Sequence, residues 1–139
     1  MTPPDLSPTE QASLLREAAA AQAHAYAPYS GVSVGAALLG EDGRVFRGCN
    51  VENASYGLAL CAERVALGAA VSQGQRKFRA IAVATSRGDV PVAPCGACRQ
   101  VLSELAPHLQ VVLPSPEGPR LLSLTELLPD SFGPQDLIS

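Results

Sequence analysis

The sequence predicts one α/β domain over residues 1–139, a three-layer α/β/α arrangement around a five-stranded mixed sheet. Two observations predict it. Helical stretches separate short apolar strands along the chain, so one sheet acquires helices on its faces. The link between the strands at 111–113 and 121–122 is too short for a parallel crossover, so those two run antiparallel and the sheet is mixed.

The elements follow in order. Ser7-Pro8-Thr9-Glu10 marks a helix start: Ser7 as N-cap, Pro8 at the first helical position, Glu10 closing a capping box. The alanine-rich run extends that helix to about residue 26, with Leu14, Leu15 and several alanines inward, until Pro28 stops it. Residues 32–39 form a strand, 41–44 a turn and 45–49 a returning strand, a hairpin. Residues 50–59 are loop. A helix runs from Cys61 or Ala62 to about residue 72, with Val65, Ala66, Ala69 and Ala70 apolar, and Gly74 ends it. A short buried strand at 80–84 precedes a polar loop at 87–94. A third helix spans 98–106 and is closed by Pro107. Strands at 111–113 and 121–122 follow, then a short helix at 125–128 capped by Thr125. From Pro129 the chain is irregular.

Composition narrows the function. Hydrophobic residues are 47% of the chain, enough for a core, and 10 Lys and Arg stand against 13 Asp and Glu. No basic run or stripe is present, which disfavours nucleic acid and anionic membranes as partners. A small neutral or cationic substrate suits the net charge of −3 better than a polyanion. No stretch reaches the roughly 20 apolar residues of a spanning helix, and residues 1–6 lack the features of a signal peptide. The expected location is the cytoplasm, where four cysteines indicate metal or redox chemistry rather than disulfides.

Three of those cysteines stand beside a carboxylate. Cys61-Ala62-Glu63-Arg64 and Pro94-Cys95-Gly96-Ala97-Cys98-Arg99-Gln100 together offer three thiols at zinc-ligand spacing. Three protein ligands leave the fourth tetrahedral position for water, the mark of a catalytic zinc site. Glu63, two residues from a ligand, can move protons without binding the metal. Cys61 and Cys98 are each expected to open a helix, where the partial positive charge holds thiolates. Arg64 and Arg99, next to ligands, can offset the net negative charge of a three-thiolate zinc by hydrogen bonds to sulfur. Plainer readings compete. C-x-x-C also occurs in redox motifs and zinc fingers. Cys49 is the one candidate for a fourth, closing ligand, although a small buried hydrophobe suits it better. His24 and His108 are not at ligand spacing, and Glu63 alone would be an ordinary helix residue.

These motifs resemble the zinc-dependent deaminases, specifically the short-chain cytidine deaminases, whose general signature is H/C-x-E with P-C-x-x-C. Tyr26-Ala-Pro-Tyr-Ser30 resembles the family's entry to its first strand. Gly48-Cys-Asn-Val-Glu-Asn-Ala-Ser-Tyr56 resembles its nucleoside-binding segment, and Glu126-Leu-Leu-Pro129 with Phe132 its C-terminal segment. The resemblance implies one Zn²⁺ per subunit on Cys61, Cys95 and Cys98, with Glu63 shuttling protons. It implies that Asn50 and Glu52 bind the ribose hydroxyls, and that backbone at Ala54 and Ala62 meets the base. Tyr56 and Phe132 resemble residues lent by a neighbouring subunit of a homotetramer. One departure is Val32, where the family often has a Phe against the pyrimidine; aromatic contact there becomes aliphatic.

The implied reaction is hydrolytic deamination of cytidine and 2′-deoxycytidine to uridine and 2′-deoxyuridine, with release of ammonia, in pyrimidine salvage. Three alternatives stand beside it. A deaminase for another amino-pyrimidine nucleoside, such as blasticidin S, would share the zinc chemistry. A nucleic-acid editor is disfavoured by the acidic chain. A zinc-stabilised binding module would need Cys49 to close the site.

Overall fold

Ser7 caps the first helix through both halves of a capping box. Its hydroxyl accepts the Glu10 N–H at 3.1 Å, and the Glu10 carboxylate accepts the Ser7 N–H at 2.9 Å. The computed structural model describes residues 4–138, and within it this helix, α1, spans Pro8–Gln22. It stops four residues short of expectation for a tertiary reason. Tyr26 pairs with the segment that follows the hairpin: its N–H donates to Asn50 O at 3.0 Å and its carbonyl accepts from Glu52 N at 2.9 Å. A helical Tyr26 could not make that ladder.

The hairpin comprises β1 at Val34–Gly40 and β2 at Val45–Cys49. Gly43, at φ 92°, makes its turn in a conformation that glycine adopts without steric cost. β1 starts two residues later than expected, because residues 30–33 are held by a turn bond from Gly31 N–H to Ala27 O and by the side chains of Ser30, Asn50 and Ser86 rather than by a regular ladder. α2 then spans Ala62–Ser72, and Gly74, at φ 89°, turns the chain out of it. β3 at Phe78–Thr85 is longer than expected because it pairs with β1 along most of its length. α3 is Gly96–Leu105, β4 Gln110–Leu113, β5 Arg120–Ser123 and α4 Leu124–Leu127. Ser123, not Thr125, caps α4, accepting the Glu126 N–H at 3.2 Å. In the tail a single 3₁₀ turn forms at Pro134–Asp136.

The five strands run in the order β2-β1-β3-β4-β5. β3 and β4 are parallel, joined through α3, while every other pair is antiparallel, β4 with β5 included. The sheet is therefore mixed, as expected.

Side-chain alternation splits the core in two. On one face, Ala37, Ala80, Ala82 and Val112 pack against Leu14 and Ala18 of α1. On the other, Ala36, Leu38, Ile81, Val83 and Val111 pack against Ala66 and Leu67 of α2, Leu102 of α3 and Leu124 of α4. Helices cover both faces, which makes three layers. Among the described residues no helix is long and apolar enough to cross a membrane.

Candidate metal centre and cleft

α2 and α3 present their N-termini to one point. Cys61 is the N-cap of α2 and Cys95 the N-cap of α3, both in extended conformation. The expected start of α3 at Cys98 is corrected by this geometry. The Arg99 N–H bonds to Cys95 O at 2.9 Å, so the first turn begins at Gly96 and Cys98 lies inside it. Small residues at 96 and 97 carry no apolar period and hide that turn from the sequence.

The sulfurs of Cys61, Cys95 and Cys98 lie within 4.8 Å of one another, with Cys61 Sγ and Cys95 Sγ 3.9 Å apart. Sulfurs about 2.3 Å from one tetrahedral zinc stand roughly 3.8 Å apart, so the trio fits the ion. Cys49 is half-buried and outside the group, and His24 and His108 are exposed, so among the described residues no fourth side chain closes it. The surroundings pull the thiols in different directions. Burial first, then the Glu63 charge and the neighbouring thiols, push Cys98 well above the usual thiol range. Burial acts the same way on Cys95, yet the Cys98 N–H and the thiols of Cys98 and Cys61 draw it below that range. Cys98, the buried member, is the thiol that resists ionisation, and a dication at the trio would favour its thiolate.

Arg64 is placed to share that charge. Its Nη2 stands 3.7 Å from Cys61 Sγ and 3.4 Å from Ala59 O, and its Nε is buried without a partner. Arg99 behaves differently. The expected hydrogen bond to sulfur is replaced by bonds to carbonyls, from Nε to Pro94 O at 2.7 Å and from Nη1 to Leu127 O at 2.8 Å. It braces the corner that carries Cys95.

Glu63 sits in the first turn of α2, only 5% exposed. Burial raises its pKa, against the pull of its own N–H and of the Arg64 charge. It lines a cleft of about 280 Å³ together with Cys61, Cys95, Asn50, Glu52 and Ala62. Val34, Val83, Val92 and Ala93 add apolar wall to that cleft; the sequence distinguishes the first two only as strand residues and the last two only as part of a polar loop.

Asn50 is buried. Its Oδ1 accepts the Val34 N–H at 2.8 Å and its Nδ2 donates to Val32 O at 2.9 Å. One Nδ2 hydrogen remains for a ligand. Glu52 accepts the N–H of Tyr29 at 2.9 Å, the N–H of Ser30 at 3.1 Å and the Ser30 hydroxyl. Those donors, the hydroxyl foremost, hold its pKa below the usual carboxylate value in spite of partial burial. Ser30, which the sequence placed only at a strand entry, thus positions the Glu52 carboxylate. Glu52 and Ala59 also line an adjoining hollow of about 320 Å³ with Tyr29, Ser30 and Tyr56. The structure does not bring the other candidates into the cleft. Val32 is half-buried outside its lining, Ala54 is exposed, and Tyr56 and Phe132 are 77% and 56% exposed.

Residues 8–113 match the family model described as the cytidine and deoxycytidylate deaminase zinc-binding region. The chain belongs to this deaminase family. Its trio and Glu63 all lie in the matched span. A cytidine deaminase of Halalkalibacterium halodurans is 51% identical over 126 residues, 89% of this chain and 95% of that protein. One of Mycobacterium tuberculosis is 50% identical over 117 residues, 84% of this chain and 85% of that protein. A crystal structure of cytidine deaminase from Burkholderia pseudomallei superposes with a TM-score of 0.79 at 55% identity, covering 86% of this chain and 97% of that one. The chain is thus similar to deaminases over nearly their whole length.

Proposed function

We propose that this chain is a zinc-dependent deaminase that converts cytidine and 2′-deoxycytidine to uridine and 2′-deoxyuridine, releasing ammonia, in pyrimidine salvage, with residues 1–139 forming one catalytic domain. One observation carries it: a buried carboxylate, Glu63, opens into the same cleft as two thiols of the zinc-fitting trio and the Asn50 and Glu52 pair.

Cys61, Cys95 and Cys98 would hold the ion, which when bound supplies the Lewis acidity that makes water a nucleophile near neutral pH. The remaining work belongs to the chain. Asn50 and Glu52 face the sugar: the free Nδ2 hydrogen donates and the ionised carboxylate accepts, which suits a ribose hydroxyl. The valines and alanines of the cleft exclude water around the base. Glu63 takes a proton from the attacking water and gives it to ring N3, which makes C4 electrophilic. It then carries the remaining proton, from the hydroxyl now on C4, to the amino group; the C4–N bond breaks, ammonia leaves and the C4 carbonyl forms. Acting first as base and then as acid suits a carboxylate raised by burial toward the working pH.

The subunit leaves Tyr26, Tyr29, Tyr56, Leu58, Leu60 and Phe132 exposed. That apolar surface supports assembly into a homotetramer in which Tyr56 and Phe132 complete a neighbour's site. Four free cysteines support a reducing, cytoplasmic setting.

The test is the ultraviolet loss of cytidine by protein at one zinc per chain, with Glu63→Ala as control. Expected is a fall of at least about 10²–10⁴ with zinc retained. A fall under tenfold would reject the role of Glu63, and an inactive wild type would reject the function.

A further inference from the structure

The two halves of the zinc trio ride on different helices, so something must fix the depth of α2 against the sheet. We infer that Gly48 does so, as a positioning residue for Cys61 and Glu63; the catalytic part of this inference rests on the function proposed above.

Gly48 lies in β2, buried, paired with Ala36 of β1. A Cβ at this position would collide with two backbone atoms of α2, the Ala62 carbonyl oxygen and the Ala66 nitrogen, and would lie 3.0 Å from Ala66 Cα. Ala62 is the first residue of α2, between Cys61 and Glu63. The strand therefore touches the turn that carries both functional groups, at backbone-to-backbone range. No rotamer change relieves a contact with backbone. Carbon atoms settle at about 3.5–4.0 Å, so a methyl at position 48 requires a retreat of roughly 1 Å.

The helix yields rather than the strand. β2 is laced to β1 by a ladder from Gly35↔Cys49 to Leu39↔Val45. Just beyond the ladder, Asn50 is tied to Val32 and Val34 through its side chain. α2 itself meets β2 by packing; just before it, Leu60 is bridged to Val51 by backbone hydrogen bonds of 2.9 and 3.0 Å, so the helix pivots at Cys61, beyond that anchor. Its displacement moves Cys61 Sγ away from Cys95 Sγ and moves Glu63 within the cleft, while Asn50 and Glu52 stay. Misplacement of about 1 Å costs on the order of 100-fold in rate.

Gly35 is the internal comparison. A Cβ there would meet α1 instead, at the Ala18 carbonyl oxygen and, at 2.5 Å, Gln22 N. The clash is of the same kind, but on the face that carries no site residue.

The experiment compares Gly48→Ala with Gly35→Ala for thermal midpoint, zinc affinity by chelator competition, and kcat and KM on cytidine per bound zinc. Both should melt at lower temperature. Gly48→Ala should lose about 100-fold in kcat and about tenfold in zinc affinity, with KM within about threefold. Gly35→Ala should keep kcat and zinc affinity within about threefold. A folded Gly48→Ala with wild-type kcat and zinc affinity overturns the inference, as does equal loss in both variants. Should Gly48→Ala not fold, Ala66→Val, which overfills the same buried seam, replaces it, and wild-type values there overturn the inference equally. A wild type without turnover would sink the proposed function, while the zinc comparison would still decide the role of Gly48.

Discussion

Ser30 donates both its backbone N–H and its hydroxyl to the carboxylate of Glu52, across 22 residues of sequence. The turn before β1 and the segment after β2 are thereby fixed to each other, and the ionised carboxylate is aimed before any ligand arrives. Ser30→Ala removes the hydroxyl and leaves the N–H bond. A hydrogen bond to a charged group is stronger than one between neutral groups, and water recovers part of it at this exposed site. The expected outcome is a KM for cytidine raised by about tenfold with kcat within about twofold. Steady-state kinetics check it, and a kcat loss with unchanged KM would contradict the assignment.

The same contact fixes a pH dependence. Glu52 titrates below its ordinary value of 4.5, mainly through the Ser30 hydroxyl. Between the folded and unfolded pKa the unfolded chain binds more protons, so stability rises with pH there. The contribution is complete above about pH 5 and is lost as pH falls through the lowered folded value. The melting-temperature difference between wild type and Glu52→Gln should be constant from about pH 6 to 5 and shrink toward pH 3. A gap that widens on acidification would contradict the geometry.

Arg64 reaches Cys61 Sγ at 3.7 Å. A donor beside a thiolate draws off charge that would otherwise weaken the metal as an acid. Arg64→Ala should keep zinc near one per chain and lower kcat by about 10–100-fold. Metal analysis alongside kinetics checks it; loss of zinc together with activity would make Arg64 a structural prop instead.

The trio and Glu63 were legible because their spacings are local: C-x-E at 61–63 and C-x-x-C at 95–98. The capping box at Ser7 and Glu10 was legible for the same reason, and the antiparallel β4–β5 pair followed from a link length. What escaped depends on distant partners. α1 ends early because Tyr26 pairs with residues beyond the hairpin. The α3 cap is Cys95 because Arg99 N–H returns to it. Ser123 outcompetes Thr125 as the α4 cap because its hydroxyl, one residue outside the helix, reaches Glu126 N. The orientation of Arg99 toward Leu127, 28 residues on, has no local signature at all.

That orientation separates two accounts of Arg99. If its charge acted on sulfur, Arg99→Lys would preserve function. The structure instead shows a guanidinium spanning two carbonyls, Pro94 O at 2.7 Å and Leu127 O at 2.8 Å. A lysine ammonium lacks the rigid planar fork that holds both. Pro94 is fully buried, so losing the bond leaves its carbonyl unsatisfied, at about 1–3 kcal/mol. The released corner carries Cys95, and the α4 end loses its tether to α3. Arg99→Ala and Arg99→Lys should therefore both weaken zinc binding, by about 10–100-fold, and both lower the melting temperature. Chelator competition on the two variants checks it. Full zinc affinity in Arg99→Lys beside a loss in Arg99→Ala would mean that charge, not the bridge, is what the site requires.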